Sequence, residues 1–226
     1  MNTSVGSTAR LIGAGLRALL VLTVICGVLY PLAVTGIAQA LFHDKANGSE
    51  IKDKSGQVVG SSLIGQSYNL PKKDPTDAEE AARPDLKWFQ PRPSGGLGSN
   101  SVNTQYSLIV SGATNKAADN EDLVNAVEEA RAAVVADNST ADHKVEPSDV
   151  PADAVTSSGS GLDPHISPAY AALQVPRVAE RNGLTVEQVK KLVEENTEGR
   201  TFGFMGEPRV NVLGLNTALK ALTARS

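Results

Sequence analysis

Residues 18–42 read ALLVLTVICGVLYPLAVTGIAQALF, 25 positions without a charged side chain. A helix rises about 1.5 Å per residue, so this stretch reaches roughly 37 Å, enough to cross a hydrocarbon core of about 30 Å with some tilt. Arg10 and Arg17 precede it, and His43-Asp44-Lys45 after it is nearly neutral. The positive-inside rule then places residues 1–17 in the cytoplasm and residues 43–226 on the far side of a membrane. Charge agrees. The chain is −4 overall and its first 42 residues carry +2, which leaves −6 on the remaining 184. A cleaved signal peptide is the competing reading, since Ala38-Gln39-Ala40 has the A-x-A form. Its apolar region would normally be about 7–15 residues, shorter than this one, which also holds Tyr30-Pro31. A retained anchor fits better.

The whole chain of 226 residues leaves room for one ordinary domain. The acidic balance, 21 Lys+Arg against 25 Asp+Glu, lacks the basic stripe that nucleic acid requires. Cys26 is the lone cysteine, so no disulfide can form within the chain. His43, His143 and His165 have no metal-ligand spacing.

Residues 51–66 read as strands around a Ser55-Gly56 turn, with Leu63-Ile64 continuing the second strand. Pro71 to Asp85 is a polar excursion. Trp88-Phe89-Gln90-Pro91-Arg92-Pro93-Ser94 cannot be a helix or an interior strand, because its prolines lack the N–H both need. Trp88-Phe89 fits either a core position or a partner hot spot. A Gly/Ser/Asn loop follows over 94–104, then a short strand over 106–110. Leu123, Val127, Ala130 and Val134 share one helical face over about 121–136, with Asp119 or Asn120 as cap. Residues 137–149 form a mobile polar segment. The stretch from Val150 is expected as a short strand feeding a Ser/Gly loop. Ser167-Pro168 then opens a helix that ends at Asn182-Gly183, and Pro176 should kink it. Thr185 and Gln188 make a capping box, and a last helix runs from about Val212 to Leu222 behind Asn211. The class is α+β: one N-terminal transmembrane helix followed by a mixed α/β extracytoplasmic domain.

Motifs for chemistry are mostly missing from the sequence. It has no Gly-Lys dipeptide, hence no Walker-type phosphate loop. Gly159-Ser160-Gly161 meets Pro164 where a dinucleotide fingerprint needs its third glycine. Ser157, Ser158, Ser160, Asp163 and His165 supply nucleophile, acid and base types, but residues this close in one loop seldom converge as a triad. A hydrogen-bonded turn is the plainer reading. Leu184 to Val189 resembles half of a helix-turn-helix, yet a net −6 domain opposes DNA binding.

Several blocks resemble one family, the C subunit of the bacterial Kdp potassium-transporting P-type ATPase. They are Tyr30-Pro31-Leu32-Ala33-Val34-Thr35-Gly36-Ile37-Ala38-Gln39, then Gly60 to Gln66, then Trp88 to Ser94. The longest is VPADAVTSSGSGLDPHISPAY from Val150 to Tyr170. Asn196 to Arg200 and Gly206 to Leu213 echo the family's ending. The chain departs over residues 111–118, where SGATNKAA replaces the usual Ser-Gly-Ala-Ser-Asn-Leu-Gly-Pro.

The resemblance implies an accessory subunit of an ATP-driven, high-affinity potassium import complex in the bacterial cell membrane. Its partners would be a channel-like potassium-translocating subunit, a P-type ATPase subunit and a small membrane subunit. It implies stabilisation of the assembly and a catalytic-chaperone role that raises the ATP affinity of the hydrolysing subunit. The chain has neither the DKTGT of that subunit nor a TVGYG-like filter, so it is not expected to be an enzyme by itself. The resemblance also implies ATP binding, with ATP contacting both this chain and the hydrolysing subunit within the complex; cofactor-binding residues stay unassigned, and no catalytic or metal-ligating residue is assigned. The family-motif residues for structure or partner contact are Tyr30, Pro31, Gly36, Gln39, Gln66, Arg92, Pro93, Ser94, Asp153, Ser157, Ser158, Asp163, His165, Glu207 and Asn211. The alternatives are a free-standing membrane-tethered extracytoplasmic binding module, its secreted form, or a serine hydrolase built on the Ser157–His165 loop.

Overall fold

The computed structural model describes residues 5–74, 76–77, 80–94, 111–113 and 115–224. The strand expected over 106–110 and nearly all of the 94–104 loop lie outside them. The chain divides into two compact units, Met1–Ser49 and Glu50–Ser226.

The first unit is almost entirely helix. α1 (Val5–Val24) and α2 (Tyr30–Leu41) are joined by a five-residue π turn, Ile25–Leu29. Together they form one helical rod of 37 residues, long and apolar enough to cross a membrane. The π turn has a local cause. Pro31 has no N–H to give, and its ring crowds the carbonyl four residues back, so the helix widens and Tyr30 N–H bonds the Ile25 carbonyl five residues behind. A short α3 (His43–Ala46) follows. The Gln39 and Asn47 side-chain amides bond each other twice, both at 3.2 Å.

The second unit is α+β. β1 (Glu50–Lys52) and β2 (Val58–Ser61) pair antiparallel around the expected turn, where Asp53 accepts from Ser55 N, Ser55 Oγ and Gln57 N. These bonds, the Ser55 hydroxyl first, hold the Asp53 carboxyl below its usual range. β2 stops at Ser61 instead of continuing through Leu63-Ile64. The Ser61 hydroxyl accepts from Leu63 N at 3.1 Å and turns the chain away. Gly60 has φ +153°, and an added Cβ would collide with the Gln66 side chain and lie 2.7 Å from Leu213. Only glycine fits there.

α4 (Glu121–Asn138) starts on Asn120, whose side chain accepts from Leu123 N. Beyond it, Ser139 Oγ accepts from Val145 N, and a 3₁₀ turn (Pro147–Asp149) carries a capping box between Glu146 and Asp149. The stretch after Val150 is not a strand. It is the helical turn α5 (Ala152–Val155), because Pro151 presets the N-cap and Thr156 Oγ1 bonds back to the Ala152 carbonyl.

β3 (His165–Ile166) leads into α6 (Pro168–Asn182), capped by Ser167 and stopped by Gly183 at φ +64°. α6 runs on through Pro176. α7 (Val186–Glu195) begins with the Thr185/Gln188 capping box. β4 (Thr197–Glu198), β5 (Arg209–Asn211) and α8 (Val212–Thr223) complete the fold, with Asn211 capping α8. The sheet order is β3-β5-β4, antiparallel throughout. β3, β4 and β5 are too short to show period-2 patterning, and none was expected.

The core gathers around an extended segment that belongs to no sheet. Phe89 is fully buried, and the partly buried Trp88 packs against the same core. The backbone N–H and C=O of Phe89 both bond the Asn216 side-chain amide of α8, each at 2.9 Å. Gln90 makes the same pair with Gln174 of α6, at 2.7 and 3.1 Å. Adjacent residues of an extended chain present these groups to opposite edges, so the segment is gripped from α8 on one edge and α6 on the other.

Arg177, also buried, extends the grip. It donates to the Leu86 and Trp88 carbonyls, to Gln174 Oε1 at 2.6 Å and to Asn138 Oδ1 at 2.8 Å. Burial lowers its pKa to about 10, against the attraction of Tyr170 and Asp137, so it stays charged at neutral pH. Burial likewise pushes the Tyr170 phenol up to about 12.

Asn216→Leu keeps the volume but leaves two buried peptide groups of Phe89 unpaired. At about 1–3 kcal/mol for each stranded group, it is expected to lower stability by about 2–5 kcal/mol in urea unfolding. A loss below about 0.5 kcal/mol, the range of an ordinary surface change, would show that the amide grip is dispensable.

Candidate functional site

The Val150–Tyr170 block bonds several distant segments of the second unit. Its centre, residues 157–165, is a turn held by its own polar groups. Ser158 Oγ and Ser160 Oγ are 3.3 Å apart and accept from Asp163 N and Leu162 N. Gly161 takes φ +69°, a left-handed value that glycine adopts without steric cost.

Four other segments fasten to this turn. Gly65 N bonds the Leu162 carbonyl at 2.8 Å, which ties in the chain after β2. Ser94 Oγ bonds the Gly161 carbonyl, and Ser111 Oγ and Gly112 N both reach the Ser160 carbonyl. Val212 N bonds the Pro164 carbonyl at the start of α8.

Arg92 is the charged pin of the arrangement. Its guanidinium donates to Asp163 Oδ2 at 3.2 Å, the Thr156 carbonyl at 3.2 Å and the Ser157 carbonyl at 3.4 Å. The other Asp163 oxygen accepts from His165 N at 2.9 Å and sits 3.2 Å from His165 Nδ1. Asp163 therefore faces Arg92 on one side and His165 on the other. The Arg92 and Asp163 side chains are 19% and 30% exposed, so the pair is partly shielded from water.

The remaining motif residues are spread over both units. Asp153 accepts from Ser167 N and Oγ at 2.7 and 2.8 Å and so fixes the start of α6. Gln66 Nε2 bonds the Val59 carbonyl at 3.0 Å. Asn211 bonds the Ser62 carbonyl through Nδ2 and Gly214 N through Oδ1. Glu207 pairs with Arg200 at 2.9 Å. Pro93 separates Arg92 from Ser94, and Tyr30, Pro31, Gly36 and Gln39 lie on α2.

A cleft of about 310 Å³ opens beside Asn211, with Ser62, Glu195, Asn196, Thr197 and Glu198 on its walls. Among the described residues, no group of three or more His, Cys, Asp or Glu is placed to hold a metal ion.

This geometry suits a hub that holds loops in register. The Ser157–His165 loop is the hydrogen-bonded turn, with Ser158 and Ser160 engaged on its backbone and Asp163 engaged on Arg92. Gln174, Arg177 and Asn216 were not expected as structural centres. Their only sequence signal is polar side chains at positions that fall on the apolar faces of α6 and α8.

Arg92→Ala removes at once the guanidinium that donates to Asp163 Oδ2, the Thr156 carbonyl and the Ser157 carbonyl. Bonds to a charged group contribute about 1.5–3 kcal/mol, and partial exposure trims this, so a loss of about 1–2 kcal/mol is expected in thermal or urea unfolding. Arg92→Lys should recover only part of it, because an ammonium lacks the planar fork. Full recovery by lysine would mean that charge alone matters.

Residues 12–221 match the family described as KdpC: K+-transporting ATPase, c chain. The chain is 71% identical over 226 residues to a potassium-transporting ATPase KdpC subunit of Streptomyces avermitilis, covering all of both chains. It is 65% identical over 224 residues to the Streptomyces coelicolor subunit, covering 99% and 98%. Against the Geobacter metallireducens subunit it is 42% identical over 203 residues, covering 90% and 93%. The match takes in the anchor helix, the amide-gripped segment and the loop hub alike, and the chain belongs to the KdpC family, the c chains of K+-transporting ATPases.

Proposed function

We propose that this chain is a non-catalytic accessory subunit that holds an ATP-driven potassium importer together and raises the ATP affinity of its hydrolysing subunit. The observation that carries this reading is a pairing of two features. A 37-residue apolar rod, with none of its most apolar window buried, is continuous with a domain whose family-motif residues hold its own loops. The first feature supports a membrane anchor seeking helical neighbours, and the second a scaffold. Partners named by the family reading are the channel-like potassium-translocating subunit, the P-type ATPase subunit and a small membrane subunit.

Charge supports an orientation with the N-terminus in the cytoplasm and residues 43–226 outside. On that topology ATP does not reach the outer domain. A change in nucleotide affinity then passes through the anchor helix and the partner it packs on. The outer domain lies near the potassium entrance, where its net −6 raises the local cation concentration.

The test is co-purification through a C-terminal tag from membranes in mild detergent, with mass spectrometry of what travels with the chain. The expected result is a polytopic channel-like protein and a P-type ATPase, with K+-stimulated ATP hydrolysis. The KM for ATP should rise when the chain is left out. Recovery of the chain alone, from membranes whose other complexes stay intact, would favour the free-standing tethered module.

A further inference from the structure

Between β4 and β5 the chain runs out in a tight hairpin and back. Thr201 and Met205 bond each other twice, at 2.9 and 3.0 Å, and Gly203 N closes the turn on the Arg200 carbonyl. At its tip Phe202 is 83% exposed, Phe204 72% and Met205 50%. Phe202 takes φ +54°, a left-handed backbone that a bulky aromatic side chain ordinarily avoids. The fold therefore spends conformational energy to keep an aromatic ring outside. Isolated exposed apolar residues need no explanation, but three large ones on one braced turn mark a contact.

Two ion pairs stand behind the tip, Arg200 with Glu207 and Arg209 with Glu198, each at 2.9 Å. They give an apolar point followed by a charged but neutral collar. That order matches a zwitterionic bilayer surface, where apolar groups sit at the acyl boundary and paired charges at the headgroups.

The tether makes such a surface available. Only residues 42–49 separate α2 from the second unit, and eight residues reach at most about 28 Å. We infer that the Phe202-Gly203-Phe204-Met205 turn is a membrane-dipping tip that inserts into a zwitterionic lipid surface. This rests on the membrane association of the α1–α2 rod.

The test uses the full chain with Cys26→Ser, in phosphatidylcholine nanodiscs, with a nitroxide spin label on Met205→Cys. Labels on Leu32→Cys of α2 and on the exposed Lys190→Cys of α7 serve as references. Collisions with oxygen and with a water-soluble nickel chelate report depth. The expected result is oxygen-rich, nickel-poor collisions at positions 32 and 205 and the reverse at position 190. Phe202→Asp with Phe204→Asp should return position 205 to the aqueous pattern with unchanged circular dichroism. An aqueous position 205 beside an embedded position 32 would overturn the tip alone. If both positions were aqueous, the membrane reading would fall with it. If position 205 became shielded from both reagents only in the assembled transporter, the turn would be a protein contact and the lipid assignment wrong.

Discussion

Residues 89–93, which follow a turn closed by Trp88 N–H on the Asp85 carbonyl, belong to no strand and cannot join a sheet, because Pro91 and Pro93 withhold the N–H groups a ladder needs. Buried peptide groups must still be paired. Asn216 and Gln174 supply what a neighbouring strand would have supplied, each through one amide that both accepts and donates. Arg177 covers the Leu86 and Trp88 carbonyls and crosslinks the grip to Asn138 at the end of α4. A buried guanidinium costs several kcal/mol in lost hydration, and its four bonds within the core offset that cost. The rest of the second unit hangs from this arrangement. α6 and α8 are set by the segment between them, and the chain leaving it delivers Arg92 and Ser94 to the loop hub.

At the hub the same logic continues with charges. Polar residues in the family blocks find partners within the chain. Asp153 fixes the start of α6, Asn211 joins the β1–β2 region to α8, and Asp163 is shared between Arg92 and His165. Such networks are costly when half made and rigid when complete. The anchor adds its own irregularity, a π turn before Pro31, which places the family block Tyr30 to Gln39 just after the widened turn.

Much of this was legible in the residues. The uncharged run gave the anchor helix, and Asn120, Ser167, Thr185 and Asn211 gave helix starts, because capping is local chemistry. Gly183 marked the end of α6 for the same reason. Strands β3, β4 and β5 were not legible, since two or three residues cannot display an alternating pattern. The turn at Ala152–Val155 was mistaken for a strand because apolar residues in a four-residue element fit either period. The amide grip was invisible for another reason: Gln174 and Phe89 are distant in sequence, and nothing local says that one will bond the backbone beside the other.

We propose that the Asp163–His165 loop shapes the domain and performs no step of the reaction. The direct measurement is K+-stimulated ATP turnover per assembled complex for Asp163→Asn and His165→Gln, with the amount of complex recovered determined in parallel. The account predicts less complex but turnover per complex unchanged. Loss of general acid–base catalysis typically costs about 10²–10⁴-fold. A fall of that size in complexes recovered at normal yield would contradict the account and make the loop part of the chemistry.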